Sequence, residues 1–221
     1  MAKKHLKVLA APKTWPLKRK SSGKFITKPN PGQKLEFSLP MNFVIRNLLS
    51  YASSSSETKN LLSHNHVMVN GVRRKELKFS IGLFDTLSVQ ETKSFFRIVI
   101  NSKGKLDVSK ISEDESKIKP CRIIGKTFLS GKKIQVNLYD GRNILIGNND
   151  YKVGDTLIIS IPENSVKKHL KFEKNAKVFL VGGRHIGETG IIEDIRQNRI
   201  IYKNDKEEGL ETLKKYAFVI E

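Results

Sequence analysis

Between residues 41 and 52 the apolar side chains Met41, Val44, Ile45, Leu48, Leu49 and Ala52 recur at i, i+3, i+4, i+7, i+8 and i+11. That spacing puts all six on one stripe of a helix. The helix is expected to open at Pro40, with Ser38 just upstream as a candidate cap, and Arg46 and Asn47 lie off the stripe. The polar run Ser53 to Ser56 breaks the pattern, and a second, shorter helix is expected over Glu57–Ser63 with Leu61 and Leu62 inward. The chemistry then changes to that of strands. Val67-Met68-Val69 reads as a strand, and Asn70-Gly71 as a two-residue hairpin turn in which both positions take positive φ. Arg73-Arg74-Lys75 follows the turn, and Leu83–Val89 supplies another strand.

From about residue 91 the pattern is short strands and turns. Phe95–Ile100, Ile134 to Leu138, Asn143–Ile146 and Thr156–Ile161 read as strands, with turns at Asn101–Gly104 and Asp140-Gly141. The last fifty residues continue this way: Ala176–Val181, a loop with Gly182, Gly183, Gly187 and Gly190, then Gly190–Ile195, Arg199–Tyr202 and Tyr216–Ile220. A Gly-x-x-Asp or Gly-Asp step precedes a strand twice, at Gly82 to Asp85 and at Gly154-Asp155. The expected class is α+β and multidomain, and residues 91–171 are expected to form a central antiparallel β-domain.

The first 39 residues have no period. Four of the seven prolines fall there (12, 16, 29 and 31), and proline removes backbone donors and blocks helix propagation. An extended arm, disordered without a partner, is expected. Trp15, the only tryptophan, stands among lysines. A solvated tail has little use for it, so it is read as an anchor, either on the protein's own domains or stacked on a base.

Charge sharpens this picture. Of a formal net charge of +19, residues 1–34 carry +10 with no acid, whereas residues 172–221 are neutral. An excess this size favours a polyanionic partner, because each cation that neutralises a phosphate releases a counterion. No apolar run approaches the roughly 20 residues a membrane helix needs, and the N-terminus lacks a signal-like apolar core. A soluble, cytoplasmic chain is expected. Cys121 is the only cysteine, which rules out an intrachain disulfide and a Cys-based zinc site. Alternate placement beside a strand explains His64 and His66 without a metal. No cofactor, metal or small-molecule substrate is expected.

The run Glu57 to Leu62, then His66-Val67-Met68-Val69-Asn70-Gly71-Val72-Arg73-Arg74, closed by Asp85-Thr86-Leu87-Ser88-Val89, resembles the small S4-like RNA-binding module. Asn65 departs from the small residue such modules place there. Helices and a hairpin present a basic face to folded RNA, read by shape. Residues 173–195, with Gly182-Gly183-Arg184-His185 and Gly190, are similar to the KOW motif, which implies a small SH3-like barrel over 172–221. This glycine-rich loop lacks the phosphate-loop spacing, and no helix is expected after it.

In order, a basic arm (1–39), S4-like module (40–90), β-domain (91–171) and KOW segment resemble the S4e family of small-subunit ribosomal proteins. Lys3-Lys4-His5-Leu6-Lys7 and Ala10-Ala11-Pro12-Lys13-Thr14-Trp15 carry the match most specifically, joined by Pro40 to Leu49 and Asp140-Gly141-Arg142-Asn143. The length looks archaeal. The resemblance implies a structural, non-enzymatic role in the small subunit, with ribosomal RNA and neighbouring ribosomal proteins as partners. Candidate RNA contacts are Lys3, Lys4, His5, Lys7, Lys13, Trp15, Lys18, Arg19, Lys20, Arg46, Lys59, Asn70, Arg73, Arg74, Lys75, Arg184 and His185. Two rivals stand beside this reading. One is a pseudouridine synthase, suggested by Gly104-Lys105-Leu106-Asp107; only 114 residues follow Asp107, too few for an ordinary catalytic domain. The other is a free KOW-type transcription or translation factor, which leaves the arm unexplained.

Overall fold

Strands dominate the computed structural model, which describes residues 5–20, 23–64, 67–129, 133–147, 150–204 and 209–220. The chain divides into two units, one of residues 1–100 and 105–117, the other of 101–104 and 118–221.

In unit 1, the apolar stripe forms helix α1 (Met41–Phe43), which widens into a π-turn over Val44–Leu48, where the Leu49 N–H donates to the Val44 carbonyl at 3.0 Å. Met41, Val44 and Ile45 are buried. The helix is shorter than its stripe, because Ser50 turns left-handed at φ 55°. Ala52 is buried beyond the helix end, on the returning chain. Helix α2 (Ser55–His64) follows as expected and buries Leu62. Ser54 Oγ accepts from the Glu57 N–H at 3.1 Å, and the Glu57 carboxylate accepts from the Ser53 N–H at 2.8 Å. The Ser53 N–H, and after it the Ser54 hydroxyl, hold the Glu57 carboxyl below the usual carboxylate range.

Short strands β1 (Leu6–Lys7) and β2 (Phe25–Ile26) pair with each other, as do β3 (Ser38–Pro40) and β6 (Ser80–Gly82). The main sheet has the order β5-β4-β7-β8-β9. Its strands are β4 (Val67–Val69), β5 (Val72–Arg73), β7 (Thr86–Val89), β8 (Ser94–Ile100) and β9 (Leu106–Ile111). Asn70 and Gly71 join β4 to β5 at φ 50° and 72°, as the turn chemistry requires. The strand expected over Leu83–Val89 begins at Thr86, because the chain turns at Phe84 with φ 62°. Two expectations are corrected here. The boundary at 90/91 falls inside a hairpin: β8 pairs with β7 from Thr86↔Arg97 to Val89↔Ser94, so this sheet runs on to Ile111. The arm is not a loose tail, since Leu6, Val8, Ala11 and Trp15 are all buried. Lys3 and Lys4, like Asn65 and His66, lie outside the described residues.

Unit 2 contains two five-stranded antiparallel sheets. The first, ordered β12-β11-β10-β13-β14, is built from β10 (Ile118–Phe128), β11 (Ile134–Leu138), β12 (Asn143–Ile146), β13 (Thr156–Ser160) and β14 (Val166–Leu170). Cys121, Ile123, Val136, Leu138, Leu157 and Ile159 form its core. A buried ion pair joins Lys119 Nζ, on the central strand β10, to Asp140 Oδ2 at 2.7 Å, with Arg142 Nε at 3.3 Å from the same oxygen. The Asp140–Asn143 motif therefore folds the turn. The second sheet, ordered β18-β17-β16-β15-β19, comprises β15 (Lys177–Leu180), β16 (Thr189–Arg196), β17 (Arg199–Asn204), β18 (Gly209–Leu213) and β19 (Ala217–Val219).

Gly190 pairs with Asn204 across β16 and β17, and a Cβ there would stand 2.5 Å from the Lys203 carbonyl oxygen. Backbone cannot yield as a side chain can, so Gly190→Ala is expected to cost about 1–3 kcal/mol. Amide exchange in β16 and β17 reads the effect, and rates equal to wild type would contradict it.

Candidate nucleic-acid interface

The arm supplies the cations. Every described lysine in its first 34 residues (Lys7, Lys13, Lys18, Lys20, Lys24, Lys28 and Lys34) is exposed, as is His5. Because the arm is docked, these side chains project from a fixed surface.

Arg19 is different. Its guanidinium donates to the carbonyls of Leu9 at 3.0 Å, Ala11 at 2.9 Å and Pro12 at 3.2 Å, so it closes the arm on itself. Trp15 is 0% exposed, its Nε1 donates to the Leu35 carbonyl at 3.1 Å, and its ring lies 6.1 Å from that of Phe43. No ring face is open to a base. Of the two roles open to Trp15, packing on the protein's own fold is the one observed, and its place among the RNA contacts is withdrawn.

Around the helices, Arg46 is half-buried, and its Nε and Nη2 donate to the Ser53 carbonyl at 3.2 and 3.0 Å. Lys59, on α2, is exposed. Asn70 is also removed from the contact set, since the hairpin uses its side chain. Its Nδ2 donates to Asp85 Oδ1 at 2.7 Å, and its Oδ1 accepts the Thr86 N–H at 3.1 Å. Asp85, 1% exposed, accepts further from the Gly82 N–H at 2.6 Å and from Gln33 Nε2 at 3.0 Å. One carboxylate thus joins arm, turn and strand. The Gly-x-x-Asp step was its only sequence signal.

The three cations after the turn do not share one environment. Arg73 Nη2 donates to the Ser63 carbonyl at 3.1 Å, meeting an orphan acceptor at the end of α2. The Arg74 guanidinium stacks 4.6 Å from the centre of the Phe79 ring. Both are half-buried and Lys75 is exposed, where all three were expected on display.

In unit 2, Gly183 and Gly187 turn the glycine-rich loop at φ 90° and 84°, and strand β16 follows it. Arg184 is exposed. His185 is half-buried with Nδ1 3.5 Å from Glu188 Oε2, which also accepts from Asn204 Nδ2 at 3.1 Å. Burial, with the Glu188 carboxylate beside it, pushes the Tyr202 phenol up to about 12, so it stays neutral. The surrounding cations are matched by acids: Lys174 with Asp194 at 2.8 Å, Arg199 with Glu211 at 3.3 Å and Lys203 with Glu193 at 2.7 Å. Such a surface neutralises itself.

Chemically, the arrangement offers cations for phosphates. Asp107 is an exposed residue of the edge strand β9, and Cys121 is buried with Sγ 3.6 Å from Asp140 Oδ2. Among the described residues no three His, Cys, Asp or Glu side chains gather that could hold a metal ion. No described helix is long and apolar enough to cross a membrane.

Residues 92–166 match the ribosomal family S4e, and residues 2–32 match the RS4NT (NUC023) domain. The chain is 37% identical over 225 residues to the small ribosomal subunit protein eS4 of Methanosphaera stadtmanae, covering 99% of this chain and 92% of that protein. It is 38% identical to the eS4 of Methanocella arvoryzae, covering 100% and 95%. Its fold is similar to the crystal structure of the 30S ribosomal protein S4e from Thermoplasma acidophilum, with a TM-score of 0.73 and 27% identity over 83% of this chain and 94% of that one. With relatives this similar over nearly its whole length, the chain belongs to the ribosomal S4e family.

Proposed function

We propose that this chain is a structural component of the small ribosomal subunit, bound there to ribosomal RNA and neighbouring ribosomal proteins. The observation that carries the reading is the row of exposed arm lysines fixed on unit 1, in a member of the S4e family. Lys7, Lys13, Lys18, Lys20, Lys24, Lys28 and Lys34, with His5, Lys59, Lys75 and Arg46, are the proposed RNA-facing residues of the described chain. Lys3 and Lys4 extend the same run in sequence. Arg73 and Arg74 contribute charge from positions that also hold the fold, and Arg184 and His185 are a lesser site on unit 2. Membership in a family of ribosomal proteins leaves no role for Asp107 as a catalytic base.

The finer fold assignment belongs to the same proposal. Residues 40–111 are the S4-like module with its sheet completed, residues 118–171 the central β-domain, and residues 172–221 a KOW-bearing SH3-like barrel. Five antiparallel strands around Val178, Leu180, Ile192, Ile200 and Tyr202, with a glycine-rich loop before β16, support the last of these.

The test is sedimentation of the tagged chain through a high-salt gradient. It should travel with small subunits, and finding it free or on large subunits would overturn the proposal. Lys75→Gln offers a finer check. A surface change of this kind stays within about 0.5 kcal/mol. The log K versus log salt slope for ribosomal RNA should nonetheless shrink by roughly 0.7–0.9, one phosphate contact. An unchanged slope would take Lys75 out of the interface.

A further inference from the structure

We infer that unit 1 carries a pocket for one unpaired nucleobase of its RNA, between the arm strand β2 and helix α1. This deepens the RNA-binding reading and rests on it. The pocket measures about 490 Å³, within the roughly 300–1,000 Å³ typical of sites for small organic groups. Phe25, Thr27, Asn42, Arg46, Asn47 and Ser55 line it, and no carboxylate does.

Three features fit a nucleotide. The first is a stacking face. Phe25 is 55% exposed, with His5 at 5.7 Å ring to ring and Lys24 Nζ 5.6 Å from its centre. An open aromatic ring with an ammonium beside it is what single-stranded RNA uses, because every base has a π-face and a phosphate beside it. The second is an edge to read. Asn42 is 4% exposed; its Nδ2 donates to Thr27 Oγ1 at 2.9 Å and Ser55 Oγ at 3.1 Å, while its Oδ1 is shielded from solvent and accepts no bond. That oxygen is closed off, so the edge of a base meets the hydroxyls of Thr27 and Ser55 instead, which accept from Asn42 and can turn their own hydrogens toward an acceptor on the base. The third is a phosphate contact. Arg46 lines the pocket with its guanidinium braced by the Ser53 carbonyl and by Ser55 Oγ at 3.3 Å, which orients a delocalised cation for an anionic oxygen. The surrounding arm carries cations and no acid through residue 34, which favours RNA over a protein side chain as the occupant.

The experiment uses the full chain bound to small-subunit ribosomal RNA, comparing wild type with Phe25→Ala and Phe25→Tyr. Base reactivity is probed at nucleotide resolution, and ultraviolet crosslinks are mapped by mass spectrometry. One unpaired base should be protected by wild type and Phe25→Tyr and become reactive with Phe25→Ala, and the wild-type crosslink should map to Phe25. Affinity should fall about 5- to 100-fold on loss of one stacked base. If wild type binds but no base changes reactivity and Phe25→Ala binds equally well, the pocket holds no base while the RNA-binding reading stands. If Phe25→Ala is impaired only when other small-subunit proteins are present, the occupant is a protein and the proposal falls. Failure of wild type to bind ribosomal RNA would overturn both.

Discussion

Trp15→Ala should destabilise unit 1 by about 3–5 kcal/mol, the usual cost of deleting a fully buried indole. The side chain has no solvent-exposed surface, its N–H meets the Leu35 carbonyl at 3.1 Å, and it packs against Phe43 of the apolar stripe. Its neighbours fasten the same stretch. The Leu106 N–H donates to the Thr14 carbonyl at 2.8 Å, Thr14 Oγ1 donates to the Glu36 carbonyl at 2.5 Å, and Lys105 Nζ donates to the Lys13 carbonyl. Removing the indole leaves a cavity where arm, helix and β9 are tied together, so the arm should loosen as the core weakens. Amide exchange in β8 and β9, with the urea midpoint by circular dichroism, measures the loss. Trp15→Phe should retain much of the packing and leave the Leu35 carbonyl without this donor, a smaller cost of about 1–3 kcal/mol. A change below about 1 kcal/mol for Trp15→Ala would mean that the arm rests on the unit without supporting it.

This result bears on the arm, which was the hardest part of the chain to read. Prolines and lysines mask its apolar residues, and Leu6, Val8, Ala11 and Trp15 follow no period. Their burial is a tertiary fact that local pattern does not encode. Where pattern is strong it was enough: Val67–Val69, Asn143–Ile146 and the Asn70-Gly71 turn fall where alternation and turn chemistry place them. Within the three five-stranded sheets, the strands that local pattern misses are β9, β10, β14 and β18. Three of these are sheet edges, and edges carry polar side chains because one side meets water; β14 reads Val-Lys-Lys-His-Leu. The central strand β10 was hidden by Lys119 and Pro120. A buried lysine is disguised until its partner, Asp140, is seen across the fold.

The candidate contacts divide along the same line. Residue type singled out the cations, but not which of them the fold had already engaged. Arg19, Arg73 and Arg74 look like Lys7 or Lys75 in sequence, yet a guanidinium satisfies carbonyls and stacks on rings in a way an ammonium does not. Lys7 and Lys75 stay exposed and these three arginines are drawn into structure, while Arg184 remains exposed. The two strand-entry carboxylates behave alike: Asp155, like Asp85, collects backbone N–H bonds, from Lys152 at 2.9 Å and Phe172 at 3.0 Å. The repeated glycine–aspartate step therefore had a structural meaning and no catalytic one.

The central claim is that exposed arm lysines carry the RNA contacts while the C-terminal sheet neutralises its own charge. Replacing Lys7, Lys13, Lys20 and Lys34 together by Gln removes four exposed cations and no core atom. Urea stability should hold, while affinity for small-subunit ribosomal RNA loses roughly 0.7–0.9 of salt slope per phosphate contact, about 3 in all. Lys174, Lys177 and Arg199, two of them already paired with acids, serve as the control set. The decisive measurement is the log K versus log salt slope for wild type, the arm variant and this control. The account predicts a slope shallower by about 3 for the arm variant and little changed for the control, whereas equal slopes for the arm variant and wild type would contradict it.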